Sequence, residues 1–393
     1  MNLQNLTVCR KLLDEEIFTG AANEFEIDAH LVERAETLGL SGNLFRAYLI
    51  YLLAHEPNLI STTIEQRGGL IGESLREIFV HDVETLLPIF CKEIGSNLQV
   101  INDYKPTCAS RDESLNALIK RLEKLSTADK IADAFIEHWR RFGYGDIATY
   151  RAFRWDNGLV GVRHFETIRL SDLIGYAHQK ELLTGNTTAF MNGKPANNVL
   201  LVGARGTGKS SGVKALVNEY YSQGLRLLQI TKPQLKALPE IMETLRRFMS
   251  KRFIIFLDDL SFEESEAEYK HLKSAIEGGV ESRPENVLIY ATSNRRHLIR
   301  ETWRDRSEEH DDVYRDDSAN ETISLSDRFG LIIHYYAPTQ EEYLEIIRSM
   351  LKRRGIELDA ETLRIEGLRW EMSHSGRNGR TAQQFVNHYL GQR

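Results

Sequence analysis

One segment of the 393-residue chain has the residue types and spacing of a polyphosphate-binding loop. The segment 203-GARGTGKS-210 matches the pattern GxxxxGK[ST] at every fixed position. Glycines let a backbone wrap closely around phosphates, so that its amide N–H groups face the anion. Lys209 adds a positive charge for the outer phosphates, and Ser210 offers a hydroxyl to Mg²⁺. The segment therefore predicts a site for ATP or a related nucleotide with Mg²⁺.

The residues around this loop support the same interpretation. The loop follows the apolar run 199-VLLV-202 and precedes a segment with helical spacing, which is the context that the motif requires. A glycine-rich turn that binds nothing is the alternative, and it accounts less well for a match at all fixed positions. The residues expected to contact the nucleotide are Gly203, Ala204, Arg205, Gly206, Thr207, Gly208, Lys209, Ser210 and Ser211.

Two aspartates end the apolar run 253-FIIFLDDL-260. We expect Asp258 to hold Mg²⁺ through its water shell and Asp259 to orient or deprotonate the attacking water. Acidic residues end many strands, so this signal is weak by itself. It gains weight from its position 49 residues after Lys209, in the third predicted strand of this half of the chain.

An asparagine follows the next apolar run, 287-VLIYAT-292. If this strand lies between the first and the third, the amide of Asn294 is beside the phosphate site. There it can hold the attacking water or contact the γ-phosphate. An ordinary turn at the end of a strand is the alternative.

Arginines lie at two further positions that suit phosphate binding. Arg328 in 326-SDRFG-330 precedes the last predicted strand and can reach the γ-phosphate of a neighbouring subunit. Alternatively, it is a surface arginine paired with Asp327 or another acid. Arg377 and Arg380 begin the last helix, and either can lean over the nucleotide. A charged helix start is the alternative, although arginine suits the positive end of a helix dipole poorly.

The second half of the chain alternates apolar runs with helical segments, which predicts a doubly wound α/β domain with a parallel sheet. The residues before it show helical spacing, and those after it become helical again. We predict a helical accessory domain over 1–148, a connector over 149–170, an α/β core over 171–338 and a small helical domain over 339–393. The predicted strands are 199-VLLV-202, 225-LRLLQI-230, 253-FIIFL-257, 287-VLIYAT-292 and 331-LIIHYY-336.

The predicted connector mixes aromatic and basic residues between Tyr150 and Phe165. Such a mixture can stack on single-stranded bases, or its aromatic rings can pack on a neighbouring domain. A short hairpin around Asp156-Asn157-Gly158 is also predicted here. Residues 301–321 hold nine acids and three arginines. We interpret them as a solvated surface loop, with regulation of assembly as the alternative.

Composition excludes several classes of protein. A hydrophobic fraction of 41% excludes a disordered or collagen-like chain, and a net charge of −7 is not that of a protein coated in nucleic-acid phosphates. Three separated cysteines disfavour a disulfide framework or a zinc cluster. The N-terminus does not resemble a secretory signal, and the most apolar stretch, 44–54, is too short to span a membrane. We expect a soluble cytoplasmic protein with no membrane partner.

Together these motifs resemble those of AAA+ ATPases, and they closely resemble the bacterial DUF815 family of predicted AAA+ ATPases over about residues 165–393. The resemblance implies five parallel strands in the order 5-1-4-3-2, a C-terminal helical lid and an adenine pocket lined by Ile174, Gly175 and Tyr176. It also implies that Asn294 is sensor 1 and that Arg380 is sensor 2. Arg328 becomes an arginine finger that acts in trans within a homo-oligomer.

The predicted activity is Mg²⁺-dependent ATP hydrolysis coupled to remodelling of a macromolecular partner, either protein or nucleic acid. Many AAA+ proteins have Asp-Glu where this chain has Asp258-Asp259, and the shorter side chain makes slow hydrolysis more plausible. A nucleotide-gated scaffold with little turnover is therefore the first alternative. A P-loop kinase, in which a small acceptor replaces water, is the second.

Overall fold

A computed structural model describes residues 3–19, 23–91, 98–261, 267–277, 283–294 and 328–392. The acidic segment at 301–321 lies outside these residues. The chain divides into two compact units, each assembled from separate stretches of sequence. The first comprises Met1–Arg163, Tyr221–Arg226 and Glu243–Arg252, and the second comprises His164–Tyr220, Leu227–Met242 and Phe253–Arg393. The four-part division expected from the sequence stays a prediction.

The described residues before the first strand form α-helices and short 3₁₀ segments; α3 is buried on most sides, whereas α6 and α7 each bury one apolar face. In α7, for example, Ile131, Phe135 and Trp139 recur at helical spacing and are all buried. Asn43 begins α3, where its side chain accepts a hydrogen bond from the Arg46 N–H. The helices are α1 (Glu16–Thr19), α2 (Glu24–Leu38), α3 (Leu44–His55), α4 (Leu59–Gln66), α5 (Glu73–Cys91), α6 (Glu113–Leu122), α7 (Ala128–Phe142) and α8 (Gly145–Thr149).

The remaining described residues alternate strands with helices. The strands are β1 (Ala152–Trp155), β2 (Leu159–Gly161), β3 (Val199–Gly203), β4 (Leu225–Ile230), β5 (Arg252–Leu257), β6 (Val287–Ser293) and β7 (Leu331–Tyr335). The helices are α9 (Ala177–Met191), α10 (Lys209–Tyr220), α11 (Leu238–Arg246), α12 (Ala267–Glu277), α13 (Gln340–Lys352), α14 (Ala360–Met372) and α15 (Gly379–Gly391). Short 3₁₀ segments lie at Leu3–Asn5, Arg10–Asp14, Gln99–Asp103, Leu170–Asp172, Tyr221–Gln223 and Lys232–Ala237.

The prediction of a five-stranded, wholly parallel sheet is wrong. In the described residues the sheet has seven strands, in the order β2-β1-β4-β5-β6-β3-β7. β1 pairs antiparallel with β2, whereas the pairs β3–β6, β3–β7 and β5–β6 are parallel, so the sheet is mixed. The additional strands form the hairpin predicted around Asn157. A two-stranded hairpin is only marginally stable alone.

Parallel pairing brings the ends of three buried strands to one edge of the sheet. The other five strands lie in the order β7-β3-β6-β5-β4. If these strands are numbered 1 to 5 from β3 to β7, their order is 5-1-4-3-2. Val202 of β3 lies opposite Ser293 of β6, and Leu257 of β5 lies opposite Ala291. The residues that follow these strands therefore lie side by side.

The three C-terminal helices share a small core of their own. Tyr343 and Ile347 of α13, Leu363 of α14 and Phe385 of α15 belong to one buried cluster. The start of α13 is fixed by a capping box, in which Thr339 and Glu342 each bond the other's backbone N–H. No helix in the described part of the chain is long and apolar enough to cross a membrane.

A buried ion pair lies in the first unit. Lys251 and Glu65 are 0% and 1% exposed, and their Nζ and Oε1 atoms are 2.9 Å apart. The Lys251 ammonium also donates to the carbonyls of Trp139 and Arg140, at 2.8 and 3.0 Å, near the end of α7. Burial lowers the pKa of Lys251 to about 8. The pair joins positions that are far apart in the sequence.

Replacing this lysine is expected to destabilise the first unit strongly. The variant Lys251→Met leaves the Glu65 carboxylate buried without its cation, which costs about 3–5 kcal/mol of unfolding free energy. The double variant Lys251→Met/Glu65→Leu is expected to recover most of that loss, because it removes both charges. Urea denaturation followed by circular dichroism measures both. A loss below 1 kcal/mol in Lys251→Met contradicts the expectation.

A buried histidine is expected to make the stability of this unit depend on pH. His138 of α7 is buried, and burial, reinforced by the nearby His55, lowers its pKa to about 3. An unfolded histidine titrates near pH 6.5, so only the unfolded chain gains this proton between pH 6.5 and 3. The unfolding free energy therefore falls as the pH falls through that window.

The variant His138→Phe removes this contribution to the pH dependence. Between pH 7.0 and 5.5, the wild type is expected to lose about 1 kcal/mol more unfolding free energy than the variant does. Urea denaturation at the two pH values measures the difference. The other titrating groups are the same in both proteins, so their contributions cancel in the comparison. Equal losses in the two proteins would show that His138 accepts a proton in the folded state.

Candidate functional site

The glycine-rich loop connects β3 to α10 and has at several points a backbone conformation that strongly favours glycine. Gly203, Gly206 and Gly208 have φ angles of +145°, +76° and +88°. A Cβ atom on Gly203 would lie 1.8 Å from the carbonyl oxygen of Tyr335 in the neighbouring strand β7. The hydroxyl of Thr207 donates to the Ala204 carbonyl at 2.9 Å and closes the loop. The loop is therefore shaped by close backbone approach, as anion-binding loops are.

Lys209 lies inside the curve of this loop. Its ammonium donates to the carbonyls of Gly203 and Ala204 at 2.8 and 2.7 Å, and to Oδ1 of Asn294 at 3.1 Å. Burial lowers the pKa of Lys209, although the charges of Asp259 and Asp258 act in the opposite direction. The sequence-predicted lysine and asparagine, 85 positions apart, are thus in direct contact.

The two aspartates after β5 contact other predicted site residues. The hydroxyl of Ser210 donates to Oδ1 of Asp258 at 2.5 Å. The amide of Asn294 donates to Oδ1 of Asp259, also at 2.5 Å. The structure therefore brings together the lysine, serine, aspartates and asparagine that the sequence singled out from three separate segments. A hydroxyl and two carboxylates beside an ammonium are suited to hold a cation together with an anion.

A cavity of about 910 Å³ opens in front of these side chains. The predicted residues that line it are Ile174, Tyr176, Arg205, Gly206, Thr207, Gly208, Lys209, Ser210, Ser211, Asp258, Asp259, Asn294 and Arg380. Gly175, Gly203, Ala204 and Arg328 are described residues that do not line it. Gly203 and Ala204 contribute instead through their carbonyls, which hold Lys209.

The apolar end of the cavity includes two of the residues that the resemblance assigned to an adenine pocket. Ile174 packs against the core of the C-terminal helices. Tyr176 has a left-handed backbone with φ of +54°, and its hydroxyl donates to the Tyr336 carbonyl at 2.9 Å. Burial raises the pKa of Tyr176 to about 12. Ile346 and Met350 of α13 line the same cavity.

The C-terminal helices contact the glycine-rich loop directly. The backbone N–H of Gly379, at the start of α15, donates to the Gly206 carbonyl at 2.9 Å. Arg380 follows it and lines the cavity. Arg377, the other arginine considered from the sequence, donates to Glu371 at 2.9 Å instead. Of the two arginines, Arg380 therefore lines the cavity and Arg377 does not.

Arg328 does not line this cavity; it lies three residues before β7 and next to the buried Phe329. Its side chain is half-buried. Its predicted role in a neighbouring subunit stays a prediction.

Sequence reasoning missed several residues of the site. The cavity is also lined by Thr292 of β6 and by Arg353 and Arg354, which follow the end of α13. Asn378 packs over Gly206. Thr292 could have been found as a polar residue inside an apolar run, and Asn378 as a helix-capping residue before Gly379. The two arginines give no such signal, because basic residues are common at the ends of helices.

The donor set fits a nucleotide with Mg²⁺. Oxygen ligands suit this ion, and it commonly takes only one or two from the protein, with phosphates and water completing its shell. Ser210 and Asp258 supply a hydroxyl and a carboxylate, and the loop glycines leave room for phosphates. Within the described residues, no three His, Cys, Asp or Glu side chains are grouped to hold a metal by themselves. The cavity volume is also within the range of nucleotide and cofactor sites.

The close approach of the loop to α15 leads to a testable prediction. A Cβ atom on Gly206 would lie 2.4 Å from Oδ1 of Asn378, which cannot move freely because it caps α15 through the Thr381 N–H. Gly206→Ala is therefore expected to weaken ADP binding by about tenfold or more, measured by calorimetry. Gly376→Ala is the matched control, since φ there is +81° but the space is open. Unchanged ADP affinity in Gly206→Ala would contradict the prediction.

Comparison with solved structures finds partial alignments at low sequence identity. RuvB of Thermotoga maritima, a Holliday junction branch migration motor, is 19% identical with a TM-score of 0.38, and the alignment covers 56% of this chain and 63% of RuvB. PCH-2 of C. elegans is 17% identical with a TM-score of 0.37, covering 55% of this chain and 63% of PCH-2. The FIGL-1 AAA domain in complex with ADP is 17% identical with a TM-score of 0.39, covering 56% and 72%.

Comparison of the sequence gives a more specific result. No curated protein matches it. One family model, described as protein of unknown function (DUF815), matches residues 148–393, which is more than half of the chain and includes the whole of the site described above. The chain therefore belongs to the DUF815 family.

Proposed function

We propose that this protein is an AAA+ ATPase that binds ATP with Mg²⁺ and hydrolyses it. One observation carries the proposal: at one edge of the sheet, hydrogen bonds join Lys209 to Asn294, Asn294 to Asp259, and Ser210 to Asp258. Each belongs to a residue type that phosphoryl transfer to water requires. A glycine-rich turn without a function would not need the other two strand ends to supply these groups.

Each of these residues has a role in the proposed reaction. Lys209 binds the outer phosphates, and Ser210 and Asp258 hold Mg²⁺, the latter through the water shell. Asp259 orients or deprotonates the attacking water, and Asn294 holds that water or the γ-phosphate. Bound ATP supplies the phosphoryl group whose transfer releases free energy. The protein's part is to place and neutralise the reacting charges.

The lid and a second subunit complete the proposed site. The three C-terminal helices form the lid, from which Arg380 contacts the nucleotide, while Ile174 and Tyr176 contact the adenine; Gly175, which does not line the cavity, links these two residues. Arg328 reaches the γ-phosphate of a neighbouring copy, which makes the active form a homo-oligomer. We propose that this assembly remodels a macromolecule, protein or nucleic acid, in a reducing compartment such as the cytoplasm.

A nucleotide-gated scaffold with little turnover is the second candidate. The observation that favours it is Asp259, whose side chain is shorter than glutamate and already bonded to the amide of Asn294. In that case nucleotide binding changes the affinity for a partner, and hydrolysis serves only to reset the protein.

The rate of ATP hydrolysis per subunit, measured as the protein concentration rises, separates the two candidates. An oligomeric ATPase is expected to show a rate that climbs with concentration. Arg328→Ala is expected to lower that rate by about 10³-fold with ADP binding retained, since the arginine acts on the neighbouring site. Lys209→Ala is expected to lose nucleotide binding. Arg364→Ala, which removes an exposed arginine of α14, is the matched control.

Two outcomes would contradict the proposal. A flat and near-zero rate with tight ATP binding favours the scaffold. Full activity in Arg328→Ala contradicts the proposal that Arg328 completes the site of a neighbouring subunit, but it does not contradict ATP hydrolysis.

A further inference from the structure

A buried threonine lies between the two aspartates of the site. Thr292 is the sixth residue of β6 and is 2% exposed. Its hydroxyl donates to Oδ1 of Asp258 at 2.7 Å and accepts from the backbone N–H of Asp259 at 2.9 Å. An N–H can only donate, so the hydroxyl proton must point to Asp258. The polarity of this arrangement is therefore fixed by the backbone.

The threonine also holds the turn that directs Asp259 toward the cavity. Asp259 has a left-handed backbone with φ of +54°, which is unfavourable for a residue that carries a Cβ atom. The Thr292 hydroxyl bonds the N–H of Asp259, and the Thr292 carbonyl accepts from the N–H of Leu260 at 2.7 Å. These two bonds span the strained residue. They bring its carboxylate to the amide of Asn294.

The orientation of Asp258 depends on the same hydroxyl. Its Oδ1 accepts from Thr292 at 2.7 Å and from Ser210 at 2.5 Å, one on β6 and the other at the start of α10. Two donors on one oxygen fix the rotation of the carboxylate. Valine at position 292 would fill the same volume in this apolar strand, but it has no hydroxyl to accept the hydrogen bond from the Asp259 N–H.

We propose that Thr292 is the positioning residue of this site, and that its hydroxyl sets Asp258 for Mg²⁺ and Asp259 for the attacking water. This inference rests on the proposed function, because it concerns the same nucleotide and metal site. Residues that orient metal-binding groups commonly affect metal affinity or activity by 10–100-fold when they are replaced. Thr292 touches the reacting groups only through the two aspartates.

The test compares Thr292→Val, which keeps the shape and removes the hydroxyl, with Thr292→Ser, which keeps the hydroxyl. Thr187→Val is the matched control, because Thr187 is equally buried and donates to the Leu183 carbonyl outside the site. ADP affinity is measured with and without Mg²⁺ by fluorescence of a labelled ADP, and the Mg²⁺ midpoint of ATP turnover is measured in parallel. Thermal unfolding confirms that each variant is folded, and Thr292→Ala replaces Thr292→Val if the latter is not.

Thr292→Val is expected to bind ADP without Mg²⁺ within about threefold of the wild type. In this variant Mg²⁺ is expected to increase ADP affinity much less than it does in the wild type. The Mg²⁺ concentration that gives half-maximal ATP turnover is expected to be at least about tenfold higher. Thr292→Ser is expected to restore both to within about threefold, and Thr187→Val to leave both unchanged.

Three outcomes overturn the inference. If Thr292→Val responds to Mg²⁺ as the wild type does, the hydroxyl does not position the two aspartates. A defect in Thr292→Ser equal to that of Thr292→Val shows that the hydroxyl by itself does not set the two aspartates, and an equal defect in Thr187→Val shows a general effect of lost stability. If the wild type itself binds no ADP or ATP, the proposed function fails first and the inference falls with it. That outcome is distinguishable because it appears before any variant is compared.

Discussion

The parallel pairing of β6 with β3 on one side and with β5 on the other is the constraint on which the site depends. Parallel strands end at a common edge, so the register of these pairs decides which residues meet beyond it. With Val202 opposite Ser293 and Leu257 opposite Ala291, the glycine-rich loop, the two aspartates and Asn294 follow at the same level. A shift of one residue in either pair would turn every side chain of β6 to the other face.

The glycine-rich loop and the C-terminal helices are coupled by backbone contact. The Gly206 carbonyl accepts from the Gly379 N–H, and the Asn378 side chain lies where a Cβ atom of Gly206 would be. Arg380, the next residue of α15, lines the cavity. The glycine-rich loop and the start of α15, where this arginine lies, are therefore in direct contact. Glycine at 206 permits the left-handed backbone as well as the close approach.

In the first unit, buried charges explain why distant segments belong together. The Lys251 ammonium bonds the carbonyls at the end of α7 and pairs with Glu65 of α4. Arg226, which is also fully buried, donates to the carbonyls of Phe142, Ile147 and Tyr221, and burial lowers its pKa to about 10. Buried charges are tolerated only when such partners surround them. Residues 221–226 and 243–252 thereby become part of a unit formed mainly by the first 163 residues.

The sequence by itself determined the groups of the candidate site, because the loop motif and the ends of apolar runs are local patterns. From the sequence came the glycine-rich loop, the two aspartates, Asn294 and the hairpin at Asn157. The number of strands in the sheet was underestimated, because strand pairing is not a local property. Only the tertiary structure decided that Arg380 and not Arg377 faces the cavity, and that Thr292 joins the two aspartates. These outcomes depend on which side of a helix or strand packs inward and on the register of neighbouring strands, and both are set by contacts between residues far apart in the chain.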